Sequence, residues 1–368
     1  MIAERHGETN GILGNTLRAS ILSNNGRRPT PGPRLLLAGV ADADGPTLHR
    51  LMRAGQLPHL TRLIETGVSR PLRAPVLAGP APWATIATGQ PAMAHGVVSD
   101  WAVRPDGGGI ARTGAGSWRA APVWAVLQSA GIPCATIGWP ATRAATAWPG
   151  LVVDDSFTEP TPSVLTDWPL PPACISPARL RPALRGLRVH PGELDAATRG
   201  ALPALALAAA ASVHAAATYV MEHEAWHFLA VHYTLLVAHG GDEVYAVLDA
   251  MVGRLVSLAG PETDVIVVSP VGLLVASGQG FAANATVHGA ALQDIMPTVL
   301  ARFGLRSEEL PGRMLDATRH GELQPVAIPK LPAPAAFQAC PPPGPTAAKL
   351  IAGVESRTAP STWRLADL

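Results

Sequence analysis

The sequence predicts an α/β fold built on a mostly parallel sheet covered by helices on both faces. Three observations carry this. Short, almost wholly apolar runs, Arg-Leu-Leu-Leu-Ala-Gly-Val at 34–40 and Asp-Val-Ile-Val-Val-Ser at 264–269, look like strands buried on both sides rather than half-exposed ones. Such runs alternate along the chain with segments whose apolar residues recur at helical spacing, the order expected of βαβ units. Hydrophobic residues make up 48% of the 368 positions and charged residues only 15%, enough apolar material for a sizeable core.

The elements follow in order. Residues 1–33 are polar, rich in Gly, Asn and Arg, and end Pro-Thr-Pro-Gly-Pro, which predicts a flexible N-terminal arm. After the strand at 34–40, residues 47–66 place Leu48, Leu51, Met52, Leu57, Leu60, Leu63 and Ile64 at helical spacing. A helix is expected over 83–89, after a Pro-rich loop, and another over 122–130 with proline in its first turn. Short strands are expected at 134–138 and 151–153, with Asp154 and Asp155 as a solvated strand end. Residues 156–200 read as Pro-rich and irregular, followed by an Ala-rich helix over 201–220. A strong strand spans 226–237, a helix 243–258, the strand at 264–269 follows, then an edge strand at 273–276 and a helix at 293–303. The stretch 318–368 is a Pro-rich tail.

Charge excludes some function classes. The net charge is +1, so there is no electrostatic case for nucleic acid or an anionic membrane. The denser basic groups, Arg27 with Arg28 and Arg179, Arg181, Arg185 and Arg188, read as solvated surface. Cys134, Cys174 and Cys340 are too few and too scattered for a disulfide framework or a Cys-rich zinc site. With no apolar leader in the first 33 residues and no convincing membrane span, the expectation is a cytoplasmic protein.

Several blocks resemble one family. Gly55-Gln56-Leu57-Pro58-His59-Leu60 with Glu65-Thr66-Gly67-Val68 is similar to a helix and turn of the type I phosphodiesterase/nucleotide pyrophosphatase family, within the alkaline phosphatase superfamily. Pro82-Trp83-Ala84-Thr85-Ile86-Ala87-Thr88-Gly89 with His95-Gly96-Val97 resembles the helix after its nucleophile. Pro122-Val123-Trp124 through Gly138-Trp139-Pro140-Ala141-Thr142, and Gly280-Phe281 through Asp294-Ile295-Met296-Pro297-Thr298-Val299-Leu300, resemble two further units. The resemblance covers 34–317. It implies an alkaline-phosphatase-like three-layer α/β/α sandwich, with 161–224 as a cap inserted over the sheet's carboxyl edge.

The family hydrolyses phosphoesters with two divalent metals, usually zinc, which activate a Thr or Ser nucleophile. Against that pattern this chain reads as degenerate. The first metal-binding Asp falls on Ala41, with Asp42 and Asp44 nearby as weak substitutes. The nucleophile falls on Gly79, which has no side chain to attack with. Trp83 follows it. Of the Asp-x-x-x-His expected after the strand at 228–233, only His239 remains as a weak candidate ligand. Pro270-Val271 stands where Asp-His is expected, and neither can bind a metal. The loop carrying the last His is missing before 273–276, and His288 aligns with a variable turn. The prediction is a pseudoenzyme with no metal cofactor, acting as a binding or assembly protein for an unknown protein partner or small ligand. The alternative is a divergent metal-dependent phosphoesterase using Asp42, Asp44 and His239.

A third reading rests on His223-Glu224-Ala225-Trp226-His227, which matches the zinc-peptidase H-E-x-x-H spacing. That chemistry needs both histidines on one helical face, and the strand expected from Trp226 onward argues against it. Trp83 and Trp139 beside the former site read as core packing.

Overall fold

The computed structural model describes residues 32–72, 79–103, 109–159, 168–190, 204–234, 241–283, 285, 287 and 289–331. The strands in chain order are β1 (Arg34–Val40), β2 (Gly67–Arg70), β3 (Trp101–Val103), β4 (Ile110–Arg112), β5 (Cys134–Ile137), β6 (Leu151–Val153), β7 (Ile175–Ser176), β8 (Phe228–Tyr233), β9 (Thr263–Ser269), β10 (Leu273–Ser277), β11 (Leu305–Arg306) and β12 (Gln324–Pro325). The α-helices among the described residues are α1 (Gly45–Arg53), α2 (Pro58–Thr66), α3 (Ala81–Thr88), α4 (Ala92–His95), α5 (Val123–Ser129), α6 (Arg181–Gly186), α7 (Ala204–His223), α8 (Asp242–Ala259) and α9 (Ile295–Arg302).

Eight of these strands form the central sheet, in the order β2-β10-β9-β1-β8-β5-β6-β7. From β9 to β6 they run parallel, so their carboxyl ends share one edge. β1 lies near the middle because it is apolar on both faces. Leu36, Ala38 and Val40 point to one side, where α1, α2, α7 and α8 bring Leu48, Leu60, Val213 and Leu248. Leu35 and Leu37 point to the other, where α3, α5 and α9 bring Ile86, Trp124 and Val299. The predicted three-layer α/β/α class is therefore the observed one.

Several local expectations change. The helical stretch over 47–66 is two helices: α1 ends at Arg53, and Pro58, which has no N–H to continue a helix, opens α2. The unpaired N–H groups of His59 and Leu60 at that start are bound by the carboxylate of Asp249 on α8, at 3.1 and 2.7 Å. The strand at 273–276 is not an edge. β10 is antiparallel to β9, and β2 pairs on its outer side. The strand expected over 226–237 begins at Phe228, and 235–237 lie outside the described residues. Within the stretch read as irregular, β7 adds to the sheet against β6.

The Ala-rich helix α7, expected inside the cap, covers the sheet face with Val213, Ala216, Ala217 and Val220, while Ala209 and Ala210 border the cleft described below. Arg188 is not solvated: it stacks on Trp168 at 3.9 Å, and its Nε and Nη2 are sealed from water. The start of the Pro-rich tail pairs with the domain through Leu305 and Gln324. The rest of the tail from 332, and the N-terminal arm up to residue 31, lie outside the described residues.

Candidate functional site

The carboxyl ends of β1, β8, β5 and β6 open onto a cleft of about 390 Å³. Ala41 and Asp42 come to it from β1, Gly138 and Pro140 from β5, Asp155 from β6, and His232 and Thr234 from β8. This is the edge where α/β enzymes place their chemistry.

Beneath the cleft lies a set of aromatic rings that the sequence reading did not anticipate. Trp83 meets Trp139 edge-to-face at 5.7 Å, and Trp139 meets Trp124 at 6.0 Å. Trp124 in turn meets Trp148 at 5.9 Å, and Trp148 meets Trp118 at 5.4 Å. The His232 ring stands 4.2 Å from that of Trp83. Gly39 makes this possible: a Cβ there would lie 2.7 Å from the Trp83 ring and 3.0 Å from His232. The available signal was six of the nine tryptophans falling between 83 and 148, five of which join this set.

The predicted site residues separate. Ala41 lines the cleft, and its N–H donates to the Tyr233 carbonyl at 3.1 Å. Asp42 lines it too, exposed, in a left-handed turn with φ +58°. Asp44 does not. One of its oxygens caps α1 by accepting from the Thr47 N–H at 2.9 Å, and the other accepts from the Tyr245 hydroxyl at 2.8 Å. Burial alone would raise its pKa, but these hydrogen bonds outweigh it and hold the carboxyl below its ordinary value. Asp42 and Asp44 therefore do not share a face, as an extended segment would have required, because the chain turns between them.

Gly79 lines the cleft with φ +59°, and a Cβ there would lie 3.0 Å from the Asp100 carboxylate. Trp83 is buried, as expected of a packing residue. Pro270 and Val271 sit outside the cleft. They form the tight turn between β9 and β10, closed by the Gly272 N–H donating to the Ser269 carbonyl at 3.2 Å, with Val271 exposed. His239 and His288 lie outside the described residues.

Apart from Asp42, the polar residues that face the cleft were not singled out from sequence as site candidates. Asp154, expected at a solvated strand end, is buried: it accepts from Ser156 at N and Oγ and from the Ala145 N–H. Its neighbour Asp155 faces the cleft, with Oδ2 accepting from the Ala141 N–H at 3.1 Å and Oδ1 sealed and without a hydrogen-bond partner. Burial pushes its carboxyl up to about 7, against the pull of nearby Arg143. Glu159 is bracketed by Arg143 at 2.8 Å and Arg112 at 3.8 Å. His232 is 1% exposed, and burial pushes its imidazole down to about 3, despite the nearby Gly138 backbone, which favours the charged form. Its Nδ1 meets Thr234 Oγ1 at 2.8 Å, and no hydrogen bond of ordinary geometry reaches Nε2.

These shifts set a pH dependence. His232 and His95 (held down to about 4, also by burial) are folded as neutral rings, so the stability they confer is present above pH 6.5 and lost as the pH falls toward 4. Asp155 has the opposite sign: its contribution is lost as the pH rises from 3.8 through 7. Urea unfolding of Asp155→Asn at pH 5 and pH 7.5 is expected to show a steeper loss on acidification than the parent chain. An equal or shallower loss would contradict this account.

A pair of divalent metals needs several Asp and His donors converging on each ion. Among the described residues no group of three His, Cys, Asp or Glu side chains is placed to hold one. Asp44 is spent as a cap, and the Pro270-Val271 turn has no donor side chain. The described donor set does not fit a two-metal centre.

The H-E-x-x-H motif is divided by the end of a helix. His223 is the last residue of α7, its Nδ1 donating to the Tyr219 carbonyl at 2.9 Å. Glu224 pairs with Arg179 at 2.6 Å, and His227 lies beyond the helix, its Nδ1 donating to the Pro33 carbonyl at 3.1 Å. The two histidines do not share a helical face. Among the described residues no helix is long and apolar enough to cross a membrane.

Solved structures with a similar fold include the phosphonoacetate hydrolase of Sinorhizobium meliloti 1021 in complex with phosphonoacetate, at 22% identity and a TM-score of 0.44, over 67% of this chain and 58% of that one. Murine ectonucleotide pyrophosphatase/phosphodiesterase 5 matches at 14% identity and a TM-score of 0.41, over 64% and 56%. The chain thus spans under two thirds of the length of either. Comparison with curated protein sequences gives no significant relative. The type I phosphodiesterase/nucleotide pyrophosphatase family matches residues 42–287, and with two thirds of its length matched this chain belongs to that family.

Proposed function

We propose that this chain is a non-hydrolytic member of its family, a binding or assembly protein that keeps the cleft and has lost the two-metal reaction. The observation that carries this is Gly79. By the sequence resemblance Gly79 falls on the family's nucleophile position; it is left-handed and a Cβ there would lie 3.0 Å from the Asp100 carboxylate, so on this reading there is no hydroxyl to attack phosphorus and little room for a side chain that would supply one. The commitment of Asp44 to its cap and the displacement of Pro270-Val271 from the cleft support the same reading. On this reading no metal cofactor is needed. The buried free thiols of Cys134 and Cys174 support a cytoplasmic setting.

The alternative, a divergent metal-dependent phosphodiesterase, draws on Asp42, which does line the cleft. Purified full-length protein incubated with zinc or manganese is expected to give no turnover of bis-p-nitrophenyl phosphate above that of an Asp42→Asn variant. Mass spectrometry for metals is expected to find well under one tightly held equivalent per chain. Two equivalents, or turnover abolished by Asp42→Asn, would establish the hydrolase instead.

A further inference from the structure

Beside the cleft, β3 and β4 form an arm that is not part of the central sheet. Among the described residues they pair only with each other, in the register Trp101↔Arg112, Ala102↔Ala111 and Val103↔Ile110. A two-stranded sheet this short is marginal unless a further strand or a covered face supports it. One face of the arm is apolar and open. Residues opposite each other in an antiparallel pair point to the same side, so Trp101, Val103, Ile110 and Arg112 share that face, and the Arg112 guanidinium lies over the Trp101 ring at 4.6 Å. Val103 is 76% exposed and Ile110 69%. Met93 and Val98, which precede the arm, are exposed as well, whereas Val271 lies elsewhere in the fold. Clustered exposed apolar side chains mark an interaction surface.

The two edges of the arm differ. Along an antiparallel ladder, residues that exchange hydrogen bonds alternate with residues whose N–H and C=O point outward. The Thr113 N–H donates to the Asp100 carbonyl at 2.9 Å, which fixes the phase: Trp101 and Val103 point outward on β3, Ile110 and Arg112 on β4. On β3 the Ser99 hydroxyl occupies the edge, accepting from the Trp101 N–H at 3.3 Å and donating to the Trp101 carbonyl at 2.5 Å. On β4, among the described residues, no hydrogen bond is made by the outward N–H and C=O groups of Ile110 and Arg112. An open edge is a template for another strand.

That edge is complementary to itself. Two copies of β4 laid antiparallel about a two-fold axis at Ala111 set Ile110 of each against Arg112 of the other, so the outward groups of one copy meet those of its partner. Charge is complementary too. The described residues of the arm carry one charge of each sign, Asp100 and Arg112, so two copies meet without net repulsion, while a strongly charged partner finds no matching field.

We propose that the arm is a self-association surface: two copies of this chain pair β4 to β4, and the resulting sheet of both arms seats Ile110 and Val103 of each copy beside Arg112 and Trp101 of the other. Because Arg112 lines the cleft, the partner's arm then stands at the cleft rim. This deepens the assembly reading by naming the partner as a second copy. The measurements read association and not turnover, so the proposal can fail while the non-hydrolytic reading stands, and the reverse.

Sedimentation velocity of the full-length protein from about 1 to about 100 µM is expected to show a dimer forming in the micromolar range. Val103→Glu puts a charge into the shared face, and Ile110→Pro removes only an outward N–H. Each should weaken association at least about tenfold, with circular dichroism and the thermal midpoint confirming the fold, and Val271→Glu should leave it unchanged. In a Cys340→Ser background, Ala111→Cys should give a covalent dimer on mild oxidation, since residues facing across a non-hydrogen-bonded pair have Cα atoms about 4.5 Å apart, within the span of a disulfide. Cys134 and Cys174 are buried and do not compete. A monomer throughout the range, a dimer that survives both arm variants, or no covalent dimer from Ala111→Cys overturns the proposal.

Discussion

Replacing Asp264 with alanine is expected to destabilise the domain by about 3–5 kcal/mol, the range for removing one partner of a buried ion pair. Asp264 is the second residue of β9 and 2% exposed. Its Oδ2 accepts from Arg302 Nε at 2.7 Å and its Oδ1 from the Gly280 N–H at 2.8 Å. Arg302 also donates to the Arg319 carbonyl. One carboxylate thus ties the central sheet to the loop after β10, to α9 and to the start of the tail. Its removal strands a mostly buried guanidinium and a buried N–H together. Urea unfolding at neutral pH measures the loss. The double variant Asp264→Ala/Arg302→Leu should recover a large part of it, because the uncompensated charge is gone. A loss below about 1 kcal/mol in the single variant would place the pair among weak surface bridges.

Trp139→Ala is expected to cost about 3–5 kcal/mol, the usual range for deleting a buried tryptophan. Trp139 is fully buried, touches Trp83, Trp124 and His232 edge-to-face, and donates from Nε1 to the Trp83 carbonyl at 3.3 Å. The truncation leaves a void in a close-packed region and an aromatic cluster without its middle member. Trp139→Phe should retain much of the stability. The near-ultraviolet circular dichroism of the indoles should collapse in the alanine variant and persist in the phenylalanine one. Unchanged near-ultraviolet signal in Trp139→Ala would contradict the packing described.

The two cases show where sequence reading stopped. Asp264 was legible as the start of a strand, because apolar periodicity is local. Its partner lies 38 residues away and is chosen by the turn after β10 and the placement of α9. Trp139 was legible as a packing residue, but the run of five indoles depends on β5 and α3 meeting across one face, and on Gly39 leaving room. Gly79 at the cleft and the Pro270-Val271 turn outside it were legible only in their residue identity: a glycine has no side chain, and neither proline nor valine carries a metal donor. Asp154 and Asp155 were misread as solvated, since burial of a strand end depends on which loops fold over it.

The sequence by itself determined the α/β class, the order of most elements and the family. Strand and helix periodicity, turn residues and motif blocks are written along the chain and need no distant partner to be recognised. Only the tertiary structure decided what the remaining polar groups do. It committed Asp44 to a helix cap, left Asp42 at the cleft, and sealed one carboxyl oxygen of Asp155 and the Nε2 of His232 from water. The reason is physical: the direction of a side chain follows from the local backbone turn and the register of its strand, and its chemistry from whatever the rest of the fold brings beside it.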